Sequence, residues 1–102
     1  MVENDGFRKR LTELRIAKGV SARDMSLSIG QSAGYINNIE NGVNLPSMTV
    51  FFYICEYLGI TPADFFAFES KHPAKINELV NASEKLTAEQ LEHLISIAGW
   101  LK

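Results

Sequence analysis

The sequence predicts an all-α fold: a five-helix domain over residues 6–68, followed by a helical extension over residues 73–102 folded as a hairpin. Three observations predict it. Apolar residues recur at three- and four-residue steps along most of the chain, and no stretch alternates with a period of two. Glycines and Ser/Thr residues punctuate that pattern where helices stop and start. With 46% of its 102 residues hydrophobic and 22% charged, the chain has an ordinary globular balance and enough apolar side chains for one core.

The first helix is expected from Gly6 to Lys18, because Phe7, Leu11 and Leu14 share one face and Gly19 follows as a stop. Ser21 caps the second, Asp24 stands three residues on, and Met25 and Ile29 point inward. Gly30 ends it. Ser32 is read as the next cap, opening a third helix from Ala33 to Asn41 with Ile36 and Ile39 inward and Gly42 beyond. Ser47 opens a fourth helix to Leu58, with Phe51, Ile54, Cys55 and Leu58 on one face. Thr61-Pro62, with Asp64 three after the cap, starts a short fifth helix carrying Phe65 and Phe66. Lys71-His72-Pro73 marks a boundary. Beyond it lie a helix over 74–82 and a last one over 88–101, capped by Thr87 with Gln90 completing a capping box. Leu91, Leu94, Ile95, Ala98 and Leu101 form an apolar stripe on that last helix.

Composition excludes several classes. No apolar run approaches the roughly 20 residues that span a bilayer. The acidic, polar start is unlike a secretory signal, and the single Cys55 cannot form an internal disulfide, so a cytoplasmic protein is expected. His72 and His93 have no metal-ligand spacing, Cys55 reads as inert packing, and no nucleophile elbow or paired carboxylates occur. The expectation is therefore no enzyme, no metal and no cofactor. The net charge of −2 is unevenly spread. Residues 1–42 carry six basic and five acidic side chains, whereas residues 43–102 carry four and seven, so the first part is the better candidate to face a polyanion.

The informative stretch is Gly19 to Gly42, two short helices joined by Gly30-Gln31-Ser32. The compact Ser26 and Gly30 let them approach closely, and this is the arrangement of a helix-turn-helix, whose second helix enters a DNA major groove. The text around it resembles the lambda-repressor-like, XRE family over residues 7–66. The resemblance lies in an ordered set: Arg10-Leu11, Leu14-Arg15, Gly19-Val20-Ser21, Met25, Ile29-Gly30, Ser32, Tyr35-Ile36, Ile39-Glu40-Asn41-Gly42, Pro46-Ser47, Leu58-Gly59-Ile60-Thr61 and Asp64-Phe65. It implies a five-helix bundle that reads double-stranded DNA, usually as a homodimer on a two-fold operator.

The resemblance also assigns roles. Arg15 is expected to pair with Glu40, tying the reading helix to the scaffold. Ser32, Ala33, Gly34, Tyr35, Asn37 and Asn38 occupy the start and outer face of that helix, where counterparts touch bases and phosphates. Asn38 has the chemistry to pair with adenine N6 and N7. Asn41 and the loop residue Asn44 resemble backbone contacts, and exposed N–H groups at the helix start favour phosphate. Relatives often carry a phosphate-clamping glutamine where this chain has Ala22, and Arg23 is the neighbour that could substitute. No Lys or Arg lies between Asp24 and Ser70, so the reading helix carries no guanidinium for guanine. Arg8, Lys9 and Arg10 form a basic run that either reaches a phosphate strand, through Arg10 above all, or is a solvated face.

Two further features stay open at this level. Phe52, Tyr53 and Tyr57 lie off the inner face of the fourth helix, to be covered by the carboxy-terminal helices or to join an interface. The stripe Leu91, Leu94, Ile95, Ala98 and Leu101, with Trp100 beside it, either packs on its own domain or dimerises; a two-fold helix-to-helix contact is the favoured expectation. The rival functional class is an antitoxin-like or adaptor module that keeps the scaffold and binds a polypeptide. Operator, sign of regulation and any small-molecule effector are not encoded in a readable way.

Overall fold

Helix boundaries follow the punctuation closely in the computed structural model, which describes residues 4–101. The acidic start at Met1–Glu3 and the carboxy-terminal Lys102 of the expected extension lie outside the described residues. Seven helices and no strand occur among the described residues: α1 (Asn4–Lys18), α2 (Ala22–Ser28), α3 (Tyr35–Glu40), α4 (Met48–Leu58), α5 (Pro62–Phe66), α6 (Pro73–Ser83) and α7 (Ala88–Trp100).

Side-chain caps account for most of the starts. The Ser21 hydroxyl accepts from the Asp24 N–H at 3.0 Å and the Ser47 hydroxyl from the Val50 N–H at 3.2 Å. Thr61 and Asp64 exchange two bonds of 3.1 Å, and Thr87 and Gln90 exchange bonds of 3.0 and 3.2 Å, each pair a reciprocal capping box. At the turn between α2 and α3 the chain reverses through Gly30, with φ at +78°, a conformation that a Cβ would strain.

Two starts differ from the sequence expectation by two residues: α1 begins at Asn4 rather than Gly6, and α3 at Tyr35 rather than Ala33. Ser32 caps nothing with its side chain, and Ala33-Gly34 form a turn, so α3 begins at Tyr35 with Gly34 as its N-cap. The missing cap is supplied from another helix. Ser26, wholly buried on α2, donates its hydroxyl to the Ala22 carbonyl (2.7 Å) and accepts the Ile36 N–H at 2.9 Å. A donor orphaned at the start of α3 is thereby satisfied inside the core.

The core collects one face from each of the first five helices. Leu11 and Leu14 of α1, Met25 and Ile29 at α2, Ile36 and Ile39 of α3, Phe51, Ile54, Cys55 and Leu58 of α4, Ile60, and Phe65 of α5 are all buried. Phe7 extends the cluster, its ring centroid 4.9 Å from that of Phe65. Burial pushes the Cys55 thiol up to about 11, as suits a packing residue rather than a nucleophile.

The carboxy-terminal pair is different. α6 is docked only by its first turns: Pro73 is buried, Ala74 packs on the core, and Asn77 Nδ2 donates to Asp64 Oδ2 at 3.0 Å. The hairpin is open, because α7 packs extensively against neither α6 nor any other helix. The chain accordingly measures 50 × 28 × 21 Å, with a radius of gyration of 16.2 Å against about 13 Å for a compact chain of this length. The extension does not cover Phe52 and Tyr53, which remain 51% and 49% exposed. Tyr57 is half-buried, with the Lys18 ammonium 4.9 Å from its ring centre.

Candidate nucleic-acid interface

The geometry of α3 follows from which of its side chains the core claims. Ile36 and Ile39 are fully buried, so Asn37, Asn38 and Asn41, on the other side, are exposed to solvent. Tyr35 is half-buried, and burial raises its phenol pKa. Gly34 and Ser32 are exposed and Ala33 half-buried in the turn that leads in. Arg23 is exposed on the first turn of α2, and Asn44 is exposed in the loop after α3. α3 therefore stands proud of the domain with an outer face that is polar and uncharged.

A charge pair anchors it from behind. Arg15 Nε donates to Glu40 Oε2 at 2.7 Å and Nη2 donates to Oε1 at 3.0 Å, a bidentate fork, while Nη1 donates to the Val20 carbonyl at 2.9 Å. The hydrogen bond to Glu40 holds the Arg15 guanidinium above its ordinary pKa. Both side chains are largely buried, so this arginine is bound to the scaffold and does not project to a ligand.

Arg10 is corrected outright. It is 3% exposed, and all five of its N–H donors are used within the protein. Nε donates to the Phe65 carbonyl at 2.6 Å, Nη1 to Ser70 O at 2.6 Å and Glu13 Oε1 at 2.7 Å, and Nη2 to Asp64 O at 2.7 Å and Ala67 O at 3.0 Å. A helix-one arginine that the sequence allows to reach phosphate is instead a clamp on residues 64–70. Of the basic run, Arg8 is the member that reaches α3. It pairs with Asp5, whose carboxyl the hydrogen bond holds below the ordinary range, and its Nη1 donates to the Glu40 carbonyl at 3.3 Å. Lys9 is exposed nearby.

The start of α3 offers less to a phosphate than its position suggests. The Tyr35 N–H goes to the Ser32 carbonyl at 3.1 Å and the Ile36 N–H to Ser26, so two of the leading donors are taken. Sequence reasoning missed Ser26 and Arg8 in these roles. Ser26 carried a signal, a small polar residue among inward positions of α2; Arg8 carried none that set it apart from Lys9 and Arg10. It also missed an apolar strip beside α3, where Val43, Leu45 and Met48 are all more than half exposed.

Among the described residues no group of His, Cys, Asp or Glu could hold a metal ion, and no helix is long and apolar enough to cross a membrane. Compared with known proteins, the chain matches one family model, described as Helix-turn-helix, over residues 11–65. That span contains α2, the turn and α3 in full, together with most of the core. No curated protein and no solved structure matches it.

Proposed function

The chain belongs to the helix-turn-helix family of the XRE, lambda-repressor-like kind, a family of DNA-binding proteins, and from that premise we propose a sequence-specific transcriptional regulator acting as a homodimer on a two-fold operator. The observation that carries the reading is α3: a short helix, locked to the core by Ser26 and by Arg15–Glu40, that turns Asn37, Asn38 and Asn41 to solvent.

In this reading residues 6–68 form the reading domain and residues 73–102 the dimerising extension. α3 lies in the major groove. Asn38 pairs with adenine N6 and N7, Asn37 and Tyr35 contact neighbouring base edges, and Arg23, Ser32, Asn41 and Asn44 hold the sugar-phosphate strands. Ala33 and Gly34 allow the backbone to approach closely. The stripe Leu91, Leu94, Ile95, Ala98 and Leu101 joins two copies, setting the reading helices roughly 34 Å apart, one turn of the duplex.

A salt series on duplex DNA tests it. With few cations near α3, each dimer neutralises only a handful of phosphates, so log K against log salt should fall with a slope of about −2 to −4. No duplex binding at low salt overturns the reading. Asn38→Ala should lose about 1–3 kcal/mol at one base pair of a selected site and relax preference there. An equal loss on every sequence would reduce Asn38 to a backbone contact.

A second reading, an adaptor that binds a polypeptide, draws on the exposed Val43, Leu45, Met48 and Phe52 and on the uncharged face of α3. It requires that duplex binding be weak or absent even at low salt, while a polypeptide partner binds this surface.

A further inference from the structure

α1 and α2 carry six cations, and three of them are engaged within the protein. Arg10 clamps residues 64–70, Arg15 holds the Glu40 carboxylate, and the Lys18 ammonium lies over the Tyr57 ring. Arg8, Lys9 and Arg23 remain, and among the described residues Arg8 is the one of these with a hydrogen bond to α3. Its stem lies along Gly42, where a Cβ would come 3.4 Å from both Cδ and Nη1, and Nη1 donates to the Glu40 carbonyl at 3.3 Å. The guanidinium therefore sits beside Asn41, which the reading above sets on the sugar-phosphate strand. Its Nη2 is paired with Asp5 on the first turn of α1, and the two side chains stay 30% and 67% exposed.

We propose that Arg8 is a phosphate-binding residue at the carboxy-terminal end of α3 and that Asp5 is its internal competitor, displaced from Nη2 when a duplex docks. The proposal rests on the DNA reading above and adds a residue pair that sets its affinity. The exchange is easy, because an exposed ion pair three residues apart on one helix is weakly held and screened by salt. Asp5 takes a single bond from the guanidinium, whereas a phosphate can take two parallel ones, from Nε and Nη2. Nη1 meanwhile keeps the neutral Glu40 carbonyl, so the tie to α3 survives the exchange.

The surrounding charges single out Asp5. The recess beside Arg8 is lined by Lys9, Thr12, Glu13, Ile16 and Glu40. Glu13 is paired with the buried Arg10, and Glu40 with the largely buried Arg15. Among the described residues Asp5 is thus the carboxylate of this patch whose cation is not committed to the scaffold. Neutralising it leaves Arg8 and Lys9 uncompensated at the end of α3. In a chain of net charge −2, with no cation on α3 itself, one released guanidinium per copy is a large share of what meets a polyanion.

Fluorescence anisotropy of a random-sequence duplex over a salt series tests this on the full chain, with folding followed by circular dichroism. Arg8→Gln should make the slope of log K against log salt shallower by about 1 per copy bound, and Arg8→Lys, which keeps the charge, should retain it. Asp5→Asn should bind about 2–5-fold tighter at low salt, the effect of freeing a cation from a weak exposed pair. That gain should vanish when Arg8→Gln is added. An Arg8→Gln chain with the wild-type slope overturns the proposal, because a residue that only held α3 in place would weaken binding without changing the slope. A gain from Asp5→Asn that persists alongside Arg8→Gln makes Asp5 a distant charge and overturns the competition. If Arg8→Gln does not fold, Asp5→Asn decides alone, and unchanged affinity sinks the proposal. The two readings fail differently: a wild-type chain that binds no duplex at low salt refutes DNA reading and Arg8 with it, whereas an unchanged slope in a chain that does bind refutes Arg8 only.

Discussion

Arg10→Met is the substitution that best separates the two roles a helix-one arginine could have. It keeps most of the aliphatic stem and deletes all five donors. The carbonyls of Asp64, Phe65, Ala67 and Ser70 lose the partner that holds them, and Glu13 loses its ion pair. Phe65 is fully buried, whereas Asp64, Ala67 and Ser70 are half-buried and water can replace part of the loss there. A buried polar group left unpaired costs about 1–3 kcal/mol, and removing one member of a buried charged network about 3–5 kcal/mol. Taking the latter as the total, and about 4–8 °C per kcal/mol for a domain this size, the melting temperature should fall by at least about 12 °C. Arg10→Lys should resemble Arg10→Met more than wild type, since one ammonium cannot reach the same set of acceptors. The assay is thermal and urea unfolding, paired with the salt dependence of duplex binding. A melting temperature within about 4 °C of wild type, with a salt slope shallower by about 1, would refute the clamp and restore Arg10 to the phosphate strand.

Other consequences are equally direct. Glu40→Ala should cost about 1–3 kcal/mol, less than a fully buried pair because the Arg15 and Glu40 side chains keep 17% and 11% of their exposure; unchanged urea unfolding would show that the fork contributes nothing. The Asp64 carboxyl is held below its ordinary range, chiefly by the Asn77 side chain and then by the Thr61 N–H. A depressed folded pKa gives stability that is fully present above the unfolded value, near 4, and is lost as pH falls from there through the lower folded value. Unfolding measured from pH 6 down to about pH 2 should show that loss in wild type and a smaller one in Asp64→Asn; identical profiles would remove Asp64 from the cause. Cys55, with its thiol pushed up to about 11, should resist an alkylating reagent at pH 8 in the native protein and react on unfolding; rapid native labelling would contradict its buried position.

The sequence by itself determined the helical class, the punctuation and the inward faces. Ser21, Ser47, Thr61 and Thr87 cap where their spacing says they should, because a cap needs only a side-chain oxygen and an N–H two or three residues away. Periodicity likewise identifies Leu11, Met25, Ile36, Ile54 and Phe65 as core, since a helix of fixed pitch can bury only one stripe. Tertiary structure alone decided the rest. Whether Arg8, Lys9 or Arg10 faces solvent depends on carbonyls some 55 to 60 residues away, at 65 and 70, and neighbours in sequence say nothing about them. The start of α3 moved from Ala33 to Tyr35 because the oxygen that meets its leading N–H belongs to Ser26, ten residues earlier and on another helix. The open hairpin is of the same kind: apolar periodicity reports that a face needs covering, and only the placement of α6 and α7 shows that the chain does not cover it itself.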